Sequence, residues 1–245
     1  MNCSSVSIVI PVFNEQESIS KVIYAVDNAL PTYFDEYEII VVDDGSTDNT
    51  SRILEDVRRS VPNLIVISSA YNKGFGSALL EGLRVVSKEF AAYLPGDGQF
   101  LVSDMRHCFE LLEESDLVLG YRGGRSDYTL MRIVMSYGYL TLLTMLFGIK
   151  YMDVGWVHIW RVSKVRELDL SGGRGIFLLT EIALRFRALG YRITEGPSYY
   201  HPRFGGEAKN ASMRVVFSTL GSALRLWFRL RREGLSTHSK GTIKG

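Results

Sequence analysis

The sequence predicts an α/β protein on a doubly wound, mostly parallel sheet, extended at its C-terminal end by helices. Strand-like apolar runs alternate with helix-periodic segments from Ser7 to Gly120, the pattern of a parallel sheet covered on both faces. Three of those runs feed directly into turns rich in carboxylates, amides and glycine, and open α/β sheets bind ligands beyond the carboxyl ends of their strands. The 245-residue chain is 46% hydrophobic, enough for a sizeable core in one large domain.

The first strand is the β-branched run Ser7–Val12. A helix over Glu17–Leu30 follows, with Ile19, Val22, Ile23, Val26 and Leu30 at helical spacing. Asn14 is placed to cap that helix, and Glu15 and Glu17 favour its positive end. Glu38–Val42 is a second strand and runs into Asp43-Asp44-Gly45-Ser46-Thr47-Asp48; the next helix covers about Thr50–Ser60. Leu64–Ser68 is a third strand, and Gly74-Phe75-Gly76-Ser77-Ala78 leads a helix through Val86. That glycine run invites comparison with a dinucleotide fingerprint. Leu79 stands where its third small residue belongs, and this is the third strand–helix turn rather than the first. A close-packed helix start is the better reading.

Phe90–Leu94 is a fourth strand, ended by Pro95-Gly96, and Asp97 then lies between two glycines ahead of Gln99. Asp104–Glu114 is helical, and Leu117–Gly120 is a fifth strand leading to Tyr121-Arg122. Ile133–Ile149 carries no charge, yet it is short for a span and holds Ser136, Gly138, Thr141, Thr144 and Gly148. It reads as a buried or interfacial helix. Residues 1–210 form one continuous domain, residues 211–235 a basic amphipathic helix, and residues 236–245 a flexible tail. In the last helix Val216, Leu220, Leu224, Trp227 and Phe228 share a face, with Arg225, Arg229, Arg231 and Arg232 gathered late. That composition suits contact with anionic lipid; a core or oligomer contact suits it equally.

Composition excludes several classes. With 28 basic and 27 acidic residues the balance gives no case for a nucleic-acid binder. Nine Lys/Arg against two Glu from His201 onward point instead to phosphate groups, on a ligand or a membrane surface. Cys3 and Cys108 suggest no disulfide framework, and the four histidines show no zinc-like spacing. A reducing cytoplasmic setting is the default expectation. The N-terminus lacks a basic leader and reads as a strand.

Three strand ends meet at one edge: Pro11 to Glu15, Val42 to Ser46, and Pro95 to Gln99. One loop can take a base and ribose, and another a metal-bound diphosphate. Mg²⁺ needs only one or two carboxylates when waters and phosphates complete its shell, so Asp97 with Gln99 is a sufficient pair. The motifs IVIPVFNE, VVDDGSTDNT, NKGFGSALLEGL and PGDGQ together resemble family 2 glycosyltransferases of the GT-A fold, with a Rossmann-like nucleotide-binding half. Within that family the similarity is strongest to dolichol- and polyprenyl-phosphate sugar synthases, and it covers roughly Ser7 to Lys209.

The resemblance implies roles residue by residue. Pro11, Phe13, Glu15, Val42 and Asp44 match positions that hold the nucleoside. Asp97 matches the second Asp of an Asp-x-Asp motif, flanked by Gly96, and binds Mg²⁺ or Mn²⁺ with help from Gln99. Arg122 matches an arginine near the diphosphate and sugar, and Arg132 one that faces an acceptor phosphate. Asp153 matches the Asp of an Asp-x-x-x-Gly-Phe segment. Arg203 and Lys209, in HPRFGGEAK, match a loop that closes over phosphates. The chain departs from the pattern at Pro95, which replaces the first Asp, at Gly155-Trp156, and at Ala208.

The implied reaction is inverting, metal-dependent transfer of a sugar from a nucleoside-diphosphate donor to a polyprenyl phosphate, by an enzyme peripheral to the cytoplasmic face of a membrane or working with a membrane partner. Asp97, Arg122 and Arg132 are its candidate catalytic residues. Two alternatives stand beside it. A hydroxyl acceptor requires a general base, for which Glu181 in LLTEIALRF is the candidate. The loss of a carboxylate at Pro95 also fits an inactive nucleotide-sugar binding module.

Overall fold

The computed structural model describes residues 3–122, 130–170, 175–199, 201–205 and 213–235, without the side chains of residues 3–4, 130–134 and 213–217. Its strands are β1 (Cys3–Val12), β2 (Phe34–Asp43), β3 (Leu64–Ser68), β4 (Phe90–Tyr93), β5 (Leu117–Arg122), β6 (Val157–Arg161) and β7 (Ile193–Ser198). Its helices are α1 (Ile19–Ala29), α2 (Thr50–Arg58), α3 (Phe75–Val85), α4 (Arg106–Glu110), α5 (Leu130–Phe147), α6 (Val162–Val165), α7 (Phe177–Ala188) and α8 (Met213–Arg232). Among the described residues no helix is long and apolar enough to cross a membrane.

The strands form one sheet in the order β3-β2-β1-β4-β6-β5-β7. All neighbours are parallel except β6, which runs against both β4 and β5. Two reversals in a row restore direction, so β4, β5 and β7 all end at the edge where β1, β2 and β3 end. In register, Val12 lies beside Asp43 and Asp43 beside Ser68. At the far side Arg122 lies beside Ser198. The amino end of β6 reaches this same edge and brings residues 153–156 with it.

Strand alternation divides the core between the two faces. Val6, Ile8, Ile10 and Val12 of β1 pack with Ile19, Val22, Ile23 and Leu54 of α1 and α2. Val9 packs on the other face with Ala78, Leu79 and Leu83 of α3, in a cluster that continues through α5, α7 and α8. Gly82 lets α3 lie close to the sheet, since a Cβ there would come within 2.4 Å of Val9 Cγ1.

Four local expectations change. Asn14 does not cap α1; the helix starts after Ser18, and Asn14 sits at φ 54° in the preceding loop. The helix expected over Asp104–Glu114 is a 3₁₀ turn at Val102–Met105 followed by the single short α4. The region read as helical contributes β6 and β7 as well. On α8 the buried stripe is Ala223, Leu226 and Leu230, while Leu224 and Phe228 face outward.

Candidate active site

At the β1–β2 end of the edge, two loops are stitched together by main-chain N–H groups and short side chains. Asn14 N–H donates to Ser46 Oγ at 2.9 Å and Glu15 N–H to Thr50 Oγ1 at 2.8 Å. Asn14 Oδ1 accepts from Thr47 N–H at 2.8 Å, and Gln16 Oε1 from Asn49 N–H at 3.1 Å. Asp43 Oδ1 accepts Ser46 N–H at 2.9 Å, a side-chain bond three residues on that fixes the Gly45-Ser46 corner. Pro11 and Val42 are register partners just inside these loops, and Phe13 and Glu15 are half-buried at their mouth.

Asp44 extends the stitching to a third loop. Its carboxylate is buried and accepts Lys73 N–H at 2.8 Å and Gly74 N–H at 2.7 Å. Gly45, at φ +71°, makes room for that loop, because a Cβ there would lie 2.5 Å from the Tyr71 main chain. The residue expected to hold a nucleoside therefore also anchors the entrance to α3.

The loop after β4 is fixed from both sides. Ser18 Oγ donates to the Gly96 carbonyl at 2.9 Å. Gln99 N–H donates to Asp97 Oδ1 at 3.0 Å, curling the loop around its own carboxylate. Residues 201–205, which follow β7, lie across it. His201 N–H donates to the Gln99 carbonyl at 3.0 Å and Phe204 N–H to the Asp97 carbonyl at 3.1 Å. Arg203 Nη2 stands 3.1 Å from Asp97 Oδ2, and His201 Nε2 2.7 Å from Asp104 Oδ2. Gly98, at φ +75°, admits the Phe204 ring, which a Cβ would meet at 2.4 Å.

Arg122, at the end of β5, donates from Nε to Asp153 Oδ2 at 2.7 Å, and its guanidinium lies 4.7 Å from the centre of the Trp156 ring. The Asp153 side chain is only 7% exposed, and its Oδ1 accepts Gly155 N–H at 3.1 Å. Trp156 meets Phe100 edge-on at 5.8 Å, tying this unit to the Asp97 loop. Tyr93, at the end of β4, feels both sides of the cluster. Burial raises its phenol pKa; the charge of Asp97 raises it further and that of Arg122 opposes the rise.

The structure thus gathers Pro11, Phe13, Glu15, Val42, Asp44, Gly96, Asp97, Gln99, Arg122 and Arg203 along one edge. Glu181 is not among them. It is buried within α7, where its Oε1 accepts from Arg185 Nε at 3.1 Å and lies 3.6 Å from Arg229 Nη1. Burial raises its pKa, against the pull of Arg185 and Arg229. Its visible work is to join α7 to α8, together with the Arg185–Glu233 pair at 3.2 Å. Arg132 falls in the first turn of α5 with its side chain outside the described residues, and Lys209 lies outside them altogether.

Sequence reasoning missed Ser18, Tyr93, Trp156, His201 and Phe204. Tyr93 could have been found, because it puts a hydroxyl on an otherwise apolar strand at its functional end. The donor set also bears on a metal. Among the described residues no group of three His, Cys, Asp or Glu side chains could hold one. A single carboxylate with an amide beside it fits a hard cation that arrives with a diphosphate, and does not fit a cage made by protein alone.

Comparisons with known proteins bear on the family and the fold. The model of a family described as glycosyl transferase family 2 matches residues 7–160. Dodecaprenyl-phosphate galacturonate synthase of Rhizobium johnstonii is 29% identical over 97% of this chain and 70% of its own length. Undecaprenyl-phosphate 4-deoxy-4-formamido-L-arabinose transferase of Yersinia pestis is 30% identical over 86% of this chain, which spans only 64% of that protein. Undecaprenyl-phosphate mannosyltransferase of Micrococcus luteus is 25% identical over 93% of this chain and 96% of its own. A crystal structure of glucosyl-3-phosphoglycerate synthase from Mycobacterium tuberculosis, with Mn²⁺, UDP and phosphoglyceric acid, superposes with a TM-score of 0.70 at 18% identity, over 92% of this chain and 79% of that one. That last likeness is one of fold.

Proposed function

The chain belongs to glycosyl transferase family 2, and on that premise we propose that it moves a sugar from a nucleoside-diphosphate donor to a polyprenyl phosphate, inverting the anomeric carbon. The observation that carries the choice of acceptor is the character of the site. It offers arginines, Arg122 and Arg203, while Glu181, the candidate base, is committed to Arg185 in a buried pair. A phosphate monoester is anionic near neutral pH and needs no base to attack. It needs positioning and matching cations. The names of the three relatives point to the same acceptor class.

In the proposed reaction an acceptor phosphate oxygen bonds to the anomeric carbon as the bond from that carbon to the diphosphate oxygen breaks. The electron pair leaves with the diphosphate, and no proton has to move. Pro11, Phe13, Glu15, Val42 and Asp44 hold the nucleoside. Mg²⁺ or Mn²⁺, bound by Asp97 with Gln99 beside it, would neutralise charge on the departing diphosphate. Arg203 leaves Asp97 for phosphate oxygens as donor binds, and Arg122, aimed by Asp153, stays in place. Arg132 and Lys209 meet the acceptor phosphate, on the resemblance alone. The outward face of α8 supports work at a lipid surface: Leu224 and Phe228 are 45% and 60% exposed, beside exposed Arg225, Arg231 and Arg232.

A donor panel tests the proposal. Labelled GDP-mannose, UDP-glucose, UDP-N-acetylglucosamine and UDP-galacturonate are each incubated with polyprenyl phosphate and Mg²⁺, Mn²⁺ or EDTA. Label entering the organic phase with one donor, and stopping in EDTA, is the expected result. Transfer only to a water-soluble hydroxyl acceptor would replace the polyprenyl reading.

A further inference from the structure

β4 ends on Tyr93, the register partner of Val9. Like Val9, it turns toward the sheet face that carries α3, and its ring meets Phe75 edge-on with centroids 5.2 Å apart. A phenylalanine would fill that space as well. The hydroxyl is surplus to packing: among the described residues no hydrogen bond reaches it, although a tyrosine with its body in a core normally finds a partner for its polar tip. Tyr93 is half-buried rather than sealed. Tyr93 closes β4 at the edge, four residues ahead of Asp97, and Arg122 closes β5 at the same edge, with β6 between the two strands.

We propose that the Tyr93 hydroxyl is a contact for the glycosyl half of the donor, a neutral hydrogen-bonding group on the edge that also carries Asp97 and Arg122. The inference rests on the glycosyltransferase reading and adds a residue to it. The choice of sugar over diphosphate follows from charge. Diphosphate oxygens are matched by arginines and a cation, which this edge supplies without Tyr93. Sugar hydroxyls are neutral and take neutral partners that both donate and accept, as a phenol does. A site built to bond a hydroxyl also discriminates strongly against analogues that lack one, so Tyr93 would help set which sugar is accepted.

The test compares Tyr93→Phe with the wild-type full chain by calorimetry in Mg²⁺, using UDP, GDP and the sugar nucleotides of the donor panel. The variant is expected to bind the bare nucleoside diphosphate as the wild type does, and the matching sugar nucleotide about tenfold more weakly. Its melting temperature should stay level or rise, because the hydroxyl it loses has no hydrogen-bond partner among the described residues; a structural hydroxyl would lower it. Equal weakening of both ligands would overturn the sugar assignment in favour of the diphosphate. Unchanged binding of both would overturn the contact altogether. A wild-type chain that binds neither class of ligand would overturn the glycosyltransferase reading and this inference with it, an outcome distinct from the other two.

Discussion

At the β1–β2 end of the sheet edge, loops are joined by hydrogen bonds in which at least one partner is main chain or a short side chain: Asn14 with Ser46, Glu15 with Thr50, Asp44 with Lys73 and Gly74. At the β4–β5 end, main-chain bonds also hold the crossing turn, but the charged contacts are made by long side chains, in Arg203–Asp97 and Arg122–Asp153. Short groups on fixed backbone lose little freedom when they bond, so the first region is formed before a ligand arrives. An arginine on a carboxylate can exchange that partner for a phosphate with similar geometry. The first region suits a rigid base and ribose. The second suits a diphosphate that arrives with a metal, reacts and leaves. The two arginine pairs also differ. Arg122 is gripped by a nearly buried Asp153 and an indole face, while Arg203 belongs to the crossing loop and sits on the carboxylate a metal would need.

The contrast makes graded predictions. Asp97→Ala should lower metal-dependent transfer by about two to three orders of magnitude, with bare nucleoside binding largely kept; near-normal turnover would dissolve the division of labour. Next comes acid pH, which acts on both regions through the fold. His158 is fully buried on β6, and burial lowers its pKa to about 4 from 6.5, with Val154 and Asp153 pulling the other way. The unfolded chain therefore takes up a proton near pH 6.5 that the folded chain refuses until about pH 4. Stability is intact above pH 6.5 and should fall by about 3 kcal/mol across that window. Denaturant midpoints at pH 7 and pH 5, in wild type and His158→Gln, would measure it; an equal fall in both would exonerate His158.

Arg122→Lys keeps the charge but loses the Nε geometry and the flat face on Trp156, and should reduce kcat/KM by about tenfold. A lysine that serves equally well would mean that charge alone matters there. Asp44→Asn should weaken nucleotide binding by about fivefold, since an amide cannot accept both loop N–H groups as well as a carboxylate does. If transfer falls while nucleotide binding stays whole, the rigid half does more than hold a base. Glu181→Gln should have the least effect on turnover, under about threefold, with a loss of stability visible on melting. Collapse of turnover with donor binding retained would restore a general base and a hydroxyl acceptor.

Periodicity and turn chemistry made much of this legible in advance. The apolar runs in β2 and β4, closed by Asp or Pro-Gly, survive folding as read because those strands are buried on both faces; β3 keeps its β-branched run at the sheet edge, where Ile65 is exposed. The loops after β1, β2 and β4 were legible for the same reason, since polar groups at a strand end have no ladder to join. Asn14 misled because its amide found Thr47, a partner from another loop, instead of the helix beside it. The apolar face of α8 misled because helical spacing identifies stripes without saying which neighbour covers one. Glu181 misled because its spacing to Arg185 admits a helical ion pair without saying that both partners are buried.

By itself the sequence determined the alternation of strands and helices, the acidic and glycine-rich turns, and the family those motifs mark. Each is a property of neighbouring residues, set by spacing, backbone preference and side-chain chemistry. Tertiary structure alone decided which distant groups meet. The antiparallel insertion of β6 between β4 and β5 carries Asp153 and Trp156 to Arg122, and the turn beyond β7 lays Arg203 and Phe204 over Asp97 and Gly98. Strand order and direction follow from how two apolar faces are covered across the whole sheet, and no local stretch of sequence carries that information.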